Sequence, residues 1–70
     1  MMKNSTDIWF IAFLMYKDIK INKYSVLSRG KVKCEFDLTD EEWSELKLEF
    51  NNSEFVKFKA LVEQVKDLGY

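Results

Sequence analysis

The 70-residue sequence contains no histidine, no proline and a single cysteine, Cys34. Without histidine there is no imidazole base for a nucleophilic triad or dyad, and one thiol supplies too few ligands for a zinc site. A lone cysteine forms no disulfide within the chain, which is typical of proteins that fold in a reducing compartment. These absences exclude most enzyme designs and predict a cytoplasmic protein with no catalytic residue, no metal and no cofactor.

The sequence also has few glycines and no long hydrophobic run. Gly30 is an isolated turn glycine, so no phosphate-binding loop is expected. The longest apolar stretch extends only from Ile8 to Tyr16, whereas a membrane-spanning helix needs about 20 apolar residues. The segment before it lacks the basic start of a signal peptide, and no small-residue cleavage site follows. We therefore expect no membrane association.

The sequence is instead rich in aromatic and apolar residues, at 16% and 47% of the chain. This content is too high for a disordered chain, although 33% of the residues are charged. The length allows one domain. We expect a single small domain over residues 1–70, with residues 1–5 loose.

The run from Ile8 to Tyr16 is predicted to form a buried helix. Ser5, Thr6 and Asp7, which precede it, are all competent N-caps. A helix that is apolar on every face must be covered on every face. The cover has to come either from the rest of the chain or from a partner.

Residues 19–38 are predicted to form a β-hairpin. Residues 31–38 alternate strictly between charged and apolar side chains, which is the period of a half-buried strand. Gly30 supplies a positive φ in the turn over residues 28–31. A phase change at Asn22-Lys23 is typical of a bulge, and the register stays open because two- and three-residue loops give different pairings. The apolar strand residues are Ile19, Ile21, Tyr24, Val26 and Leu27, then Val32, Cys34, Phe36 and Leu38.

Two further helices are predicted after the hairpin. Thr39 and the acidic residues 40–42 form a capping box, which explains this acidic cluster better than acid–base catalysis or metal binding does. Asn51-Asn52-Ser53 separate the two helices, Ser53 is a candidate N-cap of the second, and Gly69 ends it. The apolar stripes are Trp43, Leu46 and Phe50 on the first helix, and Phe55, Phe58, Leu61, Val62, Val65 and Leu68 on the second.

The predicted fold class is therefore α+β, in the order α-β-β-α-α. Helices cover one face of the antiparallel hairpin in this arrangement. Two strands alone are only marginally stable. The hairpin therefore needs this cover, or pairing with another copy of the chain.

Charge is segregated along the chain, although the net charge is only −1. Residues 17–34 hold six cations and one anion, whereas residues 35–54 hold eight anions and one lysine. The basic hairpin suits nucleic-acid binding, in which cations neutralise phosphates and Tyr24 stacks on a base. The same cations also suit the solvated face of an edge strand, where lysine discourages aggregation. The candidate nucleic-acid-binding residues are Lys20, Lys23, Tyr24, Arg29, Lys31 and Lys33.

The acidic helix has a stripe of like charges, Glu41, Glu45 and Glu49, at positions i, i+4 and i+8. Such pairs destabilise an isolated helix by roughly a few tenths of a kcal/mol each. A positive group facing the stripe offsets this cost, either on another protein or on the chain's own basic hairpin. These three glutamates are the candidate protein-docking residues.

Six short motifs follow one another along the chain: Thr6-Asp7, the apolar run at 8–14, Arg29-Gly30, Phe36, Phe50-Asn51 and the terminal Lys66-Asp67-Leu68-Gly69-Tyr70. Together they resemble a family of very short bacterial and phage proteins that has no assigned activity. The resemblance covers roughly residues 5–70. It implies only a context, that of a small accessory protein of a phage or mobile element in a bacterial host cell.

The leading functional hypothesis is a small non-enzymatic protein-interaction module that binds a host or self protein. It rests on the missing catalytic chemistry, the apolar first helix and the acidic stripe. One alternative is a nucleic-acid-binding module that uses the basic hairpin around residues 20–33. A second alternative is a homo-oligomeric minor structural protein, and a homodimer is compatible with both protein-binding hypotheses.

Overall fold

The computed structural model describes residues 2–69 as a three-stranded antiparallel sheet with three helices, which confirms the predicted α+β class. The order differs from the prediction, because a strand precedes the first helix. The elements are β1 (Met2–Ser5), α1 (Ile8–Tyr16), β2 (Lys23–Ser28), β3 (Lys31–Asp37), α2 (Asp40–Asn51) and α3 (Glu54–Asp67).

The prediction that residues 1–5 are loose is wrong for Met2–Ser5, while Met1 lies outside the described residues. These four residues form β1, which pairs antiparallel with β3 in the sheet order β1-β3-β2. Lys3 aligns with Phe36 and Ser5 with Cys34. The segment has no β-branched or aromatic residue, so its strand conformation comes from the edge that β3 offers and not from local propensity.

The hairpin is confirmed, with a two-residue connection of Arg29 and Gly30 between β2 and β3. Gly30 has a φ of 75°, a conformation that glycine adopts without steric cost. The predicted bulge is misplaced: Asn22-Lys23 marks the start of β2, and the pairing irregularity lies between Val26 and Ser28. Ile19 and Ile21, predicted as strand residues, lie in the loop between α1 and β2.

The core lies between α1, β3 and α2. α1 contributes four of the seven buried residues, which pack against the inward side chains of β3 and against Phe50. Phe10 is central, since its ring centroid lies 5.2 Å from that of Trp43 and 5.3 Å from that of Phe50. The buried residues are Phe10, Ile11, Phe13, Leu14, Cys34, Phe36 and Phe50.

The first two helix starts are capped by side chains, whereas Ser53, the candidate N-cap of α3, makes no side-chain cap hydrogen bond. Asp7 caps α1 by accepting hydrogen bonds from the backbone N–H groups of Trp9 and Phe10, at 3.0 and 3.4 Å. At α2 the Thr39 hydroxyl accepts from the Glu42 N–H at 3.1 Å, and the Glu42 carboxylate accepts from the Thr39 N–H at 2.9 Å. The capping box is therefore confirmed, and it sets the first residue of α2.

The chain does not cover α1 on every face. Within residues 2–69, Ile8, Met15 and Tyr16 stay 57%, 55% and 73% exposed. The stripe on α3 is also only partly used: its first residue, Phe55, packs against the core, whereas Phe58, Leu61, Val65 and Leu68 are more than half exposed. Considerable apolar surface therefore faces outward.

Candidate functional site

An open groove of about 680 Å³ lies beside α2, against the loop that follows α1 and the residue that follows β3. Its sides combine apolar and acidic groups, and no cation lines it among the described residues. Ile19 and Leu38 come from the two connecting segments, and the other lining residues come from α2 and its C-cap. The lining residues are Ile19, Leu38, Glu42, Glu45, Leu46, Leu48, Glu49 and Asn52.

The rotation of α2 follows from its core-facing residues. Phe50 is buried and Trp43 is half-buried against Phe10, so these aromatics define the inner face of the helix. Lys47, the one cation of α2, lies over the rings of Phe10 and Trp43, at 5.9 and 5.6 Å from their centroids. It therefore does not neutralise the groove, and the acidic side chains there keep a net negative field.

The predicted acidic stripe lies only partly on this groove. Glu41, Glu45 and Glu49 are all exposed, but only Glu45 and Glu49 line the groove, where Glu42 takes the third position. We missed Glu42 because the capping box already accounted for its carboxylate. Glu42 precedes Glu45 by three residues, and Glu45 precedes Glu49 by four. This spacing is the signal that places all three on one helical face.

One of these glutamates already has a partner within the chain. The Lys17 ammonium lies 2.8 Å from a carboxylate oxygen of Glu49, and both side chains are partly exposed. An exposed ion pair of this kind contributes about 0–1 kcal/mol to stability. It joins the C-terminal end of α1 to α2 and leaves Glu42 and Glu45 as the main charges for a ligand.

The candidate nucleic-acid-binding residues are divided between the two faces of the sheet. Tyr24 aligns with Cys34, whose buried side chain faces the helices, so Tyr24 lies on the helix-facing side of β2. Lys33 alternates with Cys34 along β3, and Lys23 and Lys31 have the same phase as Lys33. The three lysines therefore share the outer face of the sheet, and Tyr24 does not lie beside them.

The other two candidate cations lie outside the strands. Arg29 is in the turn between β2 and β3, and Lys20 is in the loop before β2. On the outer face, Lys23 aligns with Glu35, which offsets part of the positive charge. The structure brings together a patch of three lysines and not the full set of six residues.

The only cysteine is buried in the core at 4% exposure. Burial raises the pKa of the Cys34 thiol above its ordinary value of 9.0, because the thiolate is poorly solvated there. At neutral pH the group is therefore a small apolar core residue and not a nucleophile. Over residues 2–69, no cluster of three or more acidic or thiol side chains is placed to hold a metal ion.

None of the helices within residues 2–69 has the length and apolar character needed to cross a membrane.

Comparison with known proteins gave no match: no family model, no curated protein and no solved structure is significantly similar to this chain.

Proposed function

We propose that this protein is a small non-enzymatic interaction module that binds another protein through the acidic groove of α2. The observation that supports this proposal is the combination of apolar and acidic residues in one concave surface. The biological context we propose is an accessory protein of a phage or mobile element, acting on a host or self protein in a bacterial cytoplasm.

The chemistry of the groove defines the partner segment. Leu46, Leu48 and Ile19 provide apolar contacts, so the partner contributes apolar side chains. Glu42 and Glu45 lie at the same surface. They favour a partner that has lysine or arginine one helical turn away from its own apolar side chains. A cationic amphipathic helix meets both requirements, because its apolar and basic residues lie on adjacent faces.

The contributions of the two contact types differ. Apolar contacts contribute about 25 cal/mol per Å² of buried surface, and they supply most of the affinity. Exposed charge pairs contribute little affinity but raise the association rate and select against acidic partners. We therefore expect moderate affinity with a clear preference for positive peptides.

The test is a fluorescence anisotropy titration with a labelled synthetic peptide of leucine and lysine that forms an amphipathic helix. We expect saturable binding that Glu45→Lys weakens several-fold, because one attractive pair becomes repulsive. Glu63→Lys, on exposed α3 and away from the groove, is the matched control and keeps the affinity within about twofold.

A peptide of the same composition with a scrambled sequence separates groove binding from general attraction between opposite charges. The proposal requires the scrambled peptide to bind at least several-fold more weakly. Equal binding of both peptides, or an equal loss of affinity in both variants, would contradict a specific groove.

A second candidate function is nucleic-acid binding, which the grouping of Lys23, Lys31 and Lys33 on the outer sheet face favours. Here the affinity for a short duplex falls steeply with salt, because bound phosphates release counterions. Lys31→Glu weakens such binding, whereas Lys57→Glu on α3 leaves it nearly unchanged. Binding that does not change with salt, or no binding at low salt, rules this function out.

A further inference from the structure

The chain exposes more surface than a compact protein of its mass. Its accessible surface is 5547 Å², whereas a monomer of 8.4 kDa is expected to expose about 4600 Å². The Cα radius of gyration is 13.4 Å, against about 11 Å for a compact chain of 70 residues. The excess of about 900 Å² is close to the roughly 800 Å² that each partner contributes to a standard protein interface.

β2 is exposed along its whole length. All six residues from Lys23 to Ser28 are exposed, and β2 is an edge strand in the order β1-β3-β2. α1 contacts the sheet through β1 and β3, so β2 extends beyond the helices. Tyr24, Val26 and Leu27 are 67%, 69% and 50% exposed. A strand with apolar side chains and an unpaired edge is a template for pairing with another strand.

We propose that β2 pairs antiparallel with β2 of a second copy, forming one continuous six-stranded sheet across a two-fold axis. This interface goes beyond the proposed groove function and uses a different surface. The strand is complementary to itself when the axis passes through Ser25. Tyr24 of each copy then lies opposite Val26 of the other, on the helix-facing side, and such aromatic and β-branched pairs stabilise antiparallel sheets.

Charge is compatible with the antiparallel arrangement. The basic turns, with Arg29 and Lys31, lie at opposite ends of the shared strand pair. Lys23 of each copy lies opposite Leu27 of the other and not opposite the second Lys23. The two hairpins still carry the same sign of charge, so salt screens their repulsion and strengthens the dimer slightly. Nucleic-acid binding has the opposite salt dependence.

The exposed stripe of α3 is the competing surface for a second copy. Phe58, Leu61 and Val65 are 60%, 55% and 54% exposed along one helical face. This stripe offers a second copy apolar side chains but no backbone hydrogen bonds, because the backbone groups of a helix are already paired within it. β2 offers both apolar side chains and an unpaired backbone edge, and it is therefore the surface that the second copy covers.

Light scattering coupled to size exclusion over a concentration series tests the dimer. We expect the mass to rise from 8.4 kDa towards twice that value, and Val26→Lys to shift the midpoint to at least tenfold higher concentration. Val65→Lys is the matched control, since it introduces the same change at a similarly exposed valine on α3. A monomer at millimolar concentration overturns the proposal, as does a dimer that only Val65→Lys dissociates.

A cysteine cross-link locates the axis. In Ser25→Cys the two introduced thiols face each other across the axis, at a separation that a disulfide can bridge. Mild oxidation is expected to convert most of this variant to a covalent dimer. Ser44→Cys, on the exposed face of α2, and the wild type with its buried Cys34 are expected to form no covalent dimer under the same conditions. The proposal is overturned if Ser25→Cys and Ser44→Cys cross-link equally, or if Ser25→Cys does not cross-link at all. This holds even if Val26→Lys and Val65→Lys both weaken the dimer.

Discussion

At the scale of single residues, stability is concentrated in few positions. Seven residues are buried, and only Leu14 and Phe36 are fully so among the described residues. A domain of this length is expected to have a free energy of unfolding of about 3–10 kcal/mol. Each core side chain therefore contributes a large part of the total, because little else in the chain compensates for its loss.

Leu14→Ala is expected to lower the free energy of unfolding by about 3 kcal/mol, since it removes buried methyl groups and leaves a cavity. The neighbouring Met15 is 55% exposed, so Met15→Ala is the matched control and is expected to cost less than about 1 kcal/mol. Urea denaturation followed by tryptophan fluorescence measures both values. Similar losses in the two variants would contradict the described orientation of α1.

The burial of Cys34 gives stability a dependence on alkaline pH. Its pKa is raised in the folded protein, so the unfolded chain ionises first as the pH rises. The contribution of the thiol is constant well below its ordinary pKa of 9.0, and stability falls as the pH rises above that value. Between pH 8 and pH 11 we expect the urea midpoint of the wild type to fall as the thiol ionises. In Cys34→Ala the midpoint is expected to fall less, because the thiol is absent. An unchanged decline would place the thiol in contact with solvent.

At the scale of elements, local signals predicted what local interactions determine. The capping box at Thr39, the turn at Gly30 and the alternation along β3 each depend on neighbours in sequence, and all three are predicted. The length of the turn is not, because the sequence allows a two- or a three-residue loop. β1 was not predicted, because Met2–Ser5 becomes a strand only through pairing with residues 29 to 35 positions away. Glu42 was missed as a groove residue because the capping box already accounts for its carboxylate. The groove itself forms only in the folded chain, where Ile19 and Leu38 meet α2.

The pairing of β1 predicts the pattern of amide hydrogen exchange in β3. Because β3 lies between two strands, its N–H groups point alternately towards β1 and β2. Met2–Ser5 pair with Cys34–Asp37, so we expect the N–H groups of this stretch that point towards β1 to be protected, measured by NMR after transfer to deuterated water. Free exchange of these N–H groups would show that Met2–Ser5 is not paired.

The two helix caps provide a second prediction at this scale. Thr39→Ala removes the side-chain cap of α2 and is expected to cost about 1 kcal/mol. Ser53 precedes α3 without a side-chain cap hydrogen bond, because its hydroxyl donates to the Phe50 carbonyl at 2.6 Å. Ser53→Ala is the matched control, and we expect a smaller loss in the thermal midpoint. A larger loss in Ser53→Ala than in Thr39→Ala would contradict the capping assignment.

At the scale of the whole molecule, the chain separates its charges and leaves apolar surface uncovered. The acidic groove of α2, the lysine face of the sheet and the edge of β2 are three different surfaces. The order of the charged residues predicts this separation, because cations and anions lie in separate blocks along the sequence. The choice between these surfaces depends on which side chains the fold places together, and we propose the groove because it joins apolar and acidic residues.

The most direct measurement is an NMR titration of the ¹⁵N-labelled protein with the leucine–lysine peptide, following every backbone amide. The account predicts that the largest shifts map to the groove, at Ile19, Glu45, Leu46 and Leu48, and that Glu45→Lys reduces them. Shifts spread evenly over all acidic residues, or centred on β2 and the turn at Arg29, would contradict the groove as the binding site.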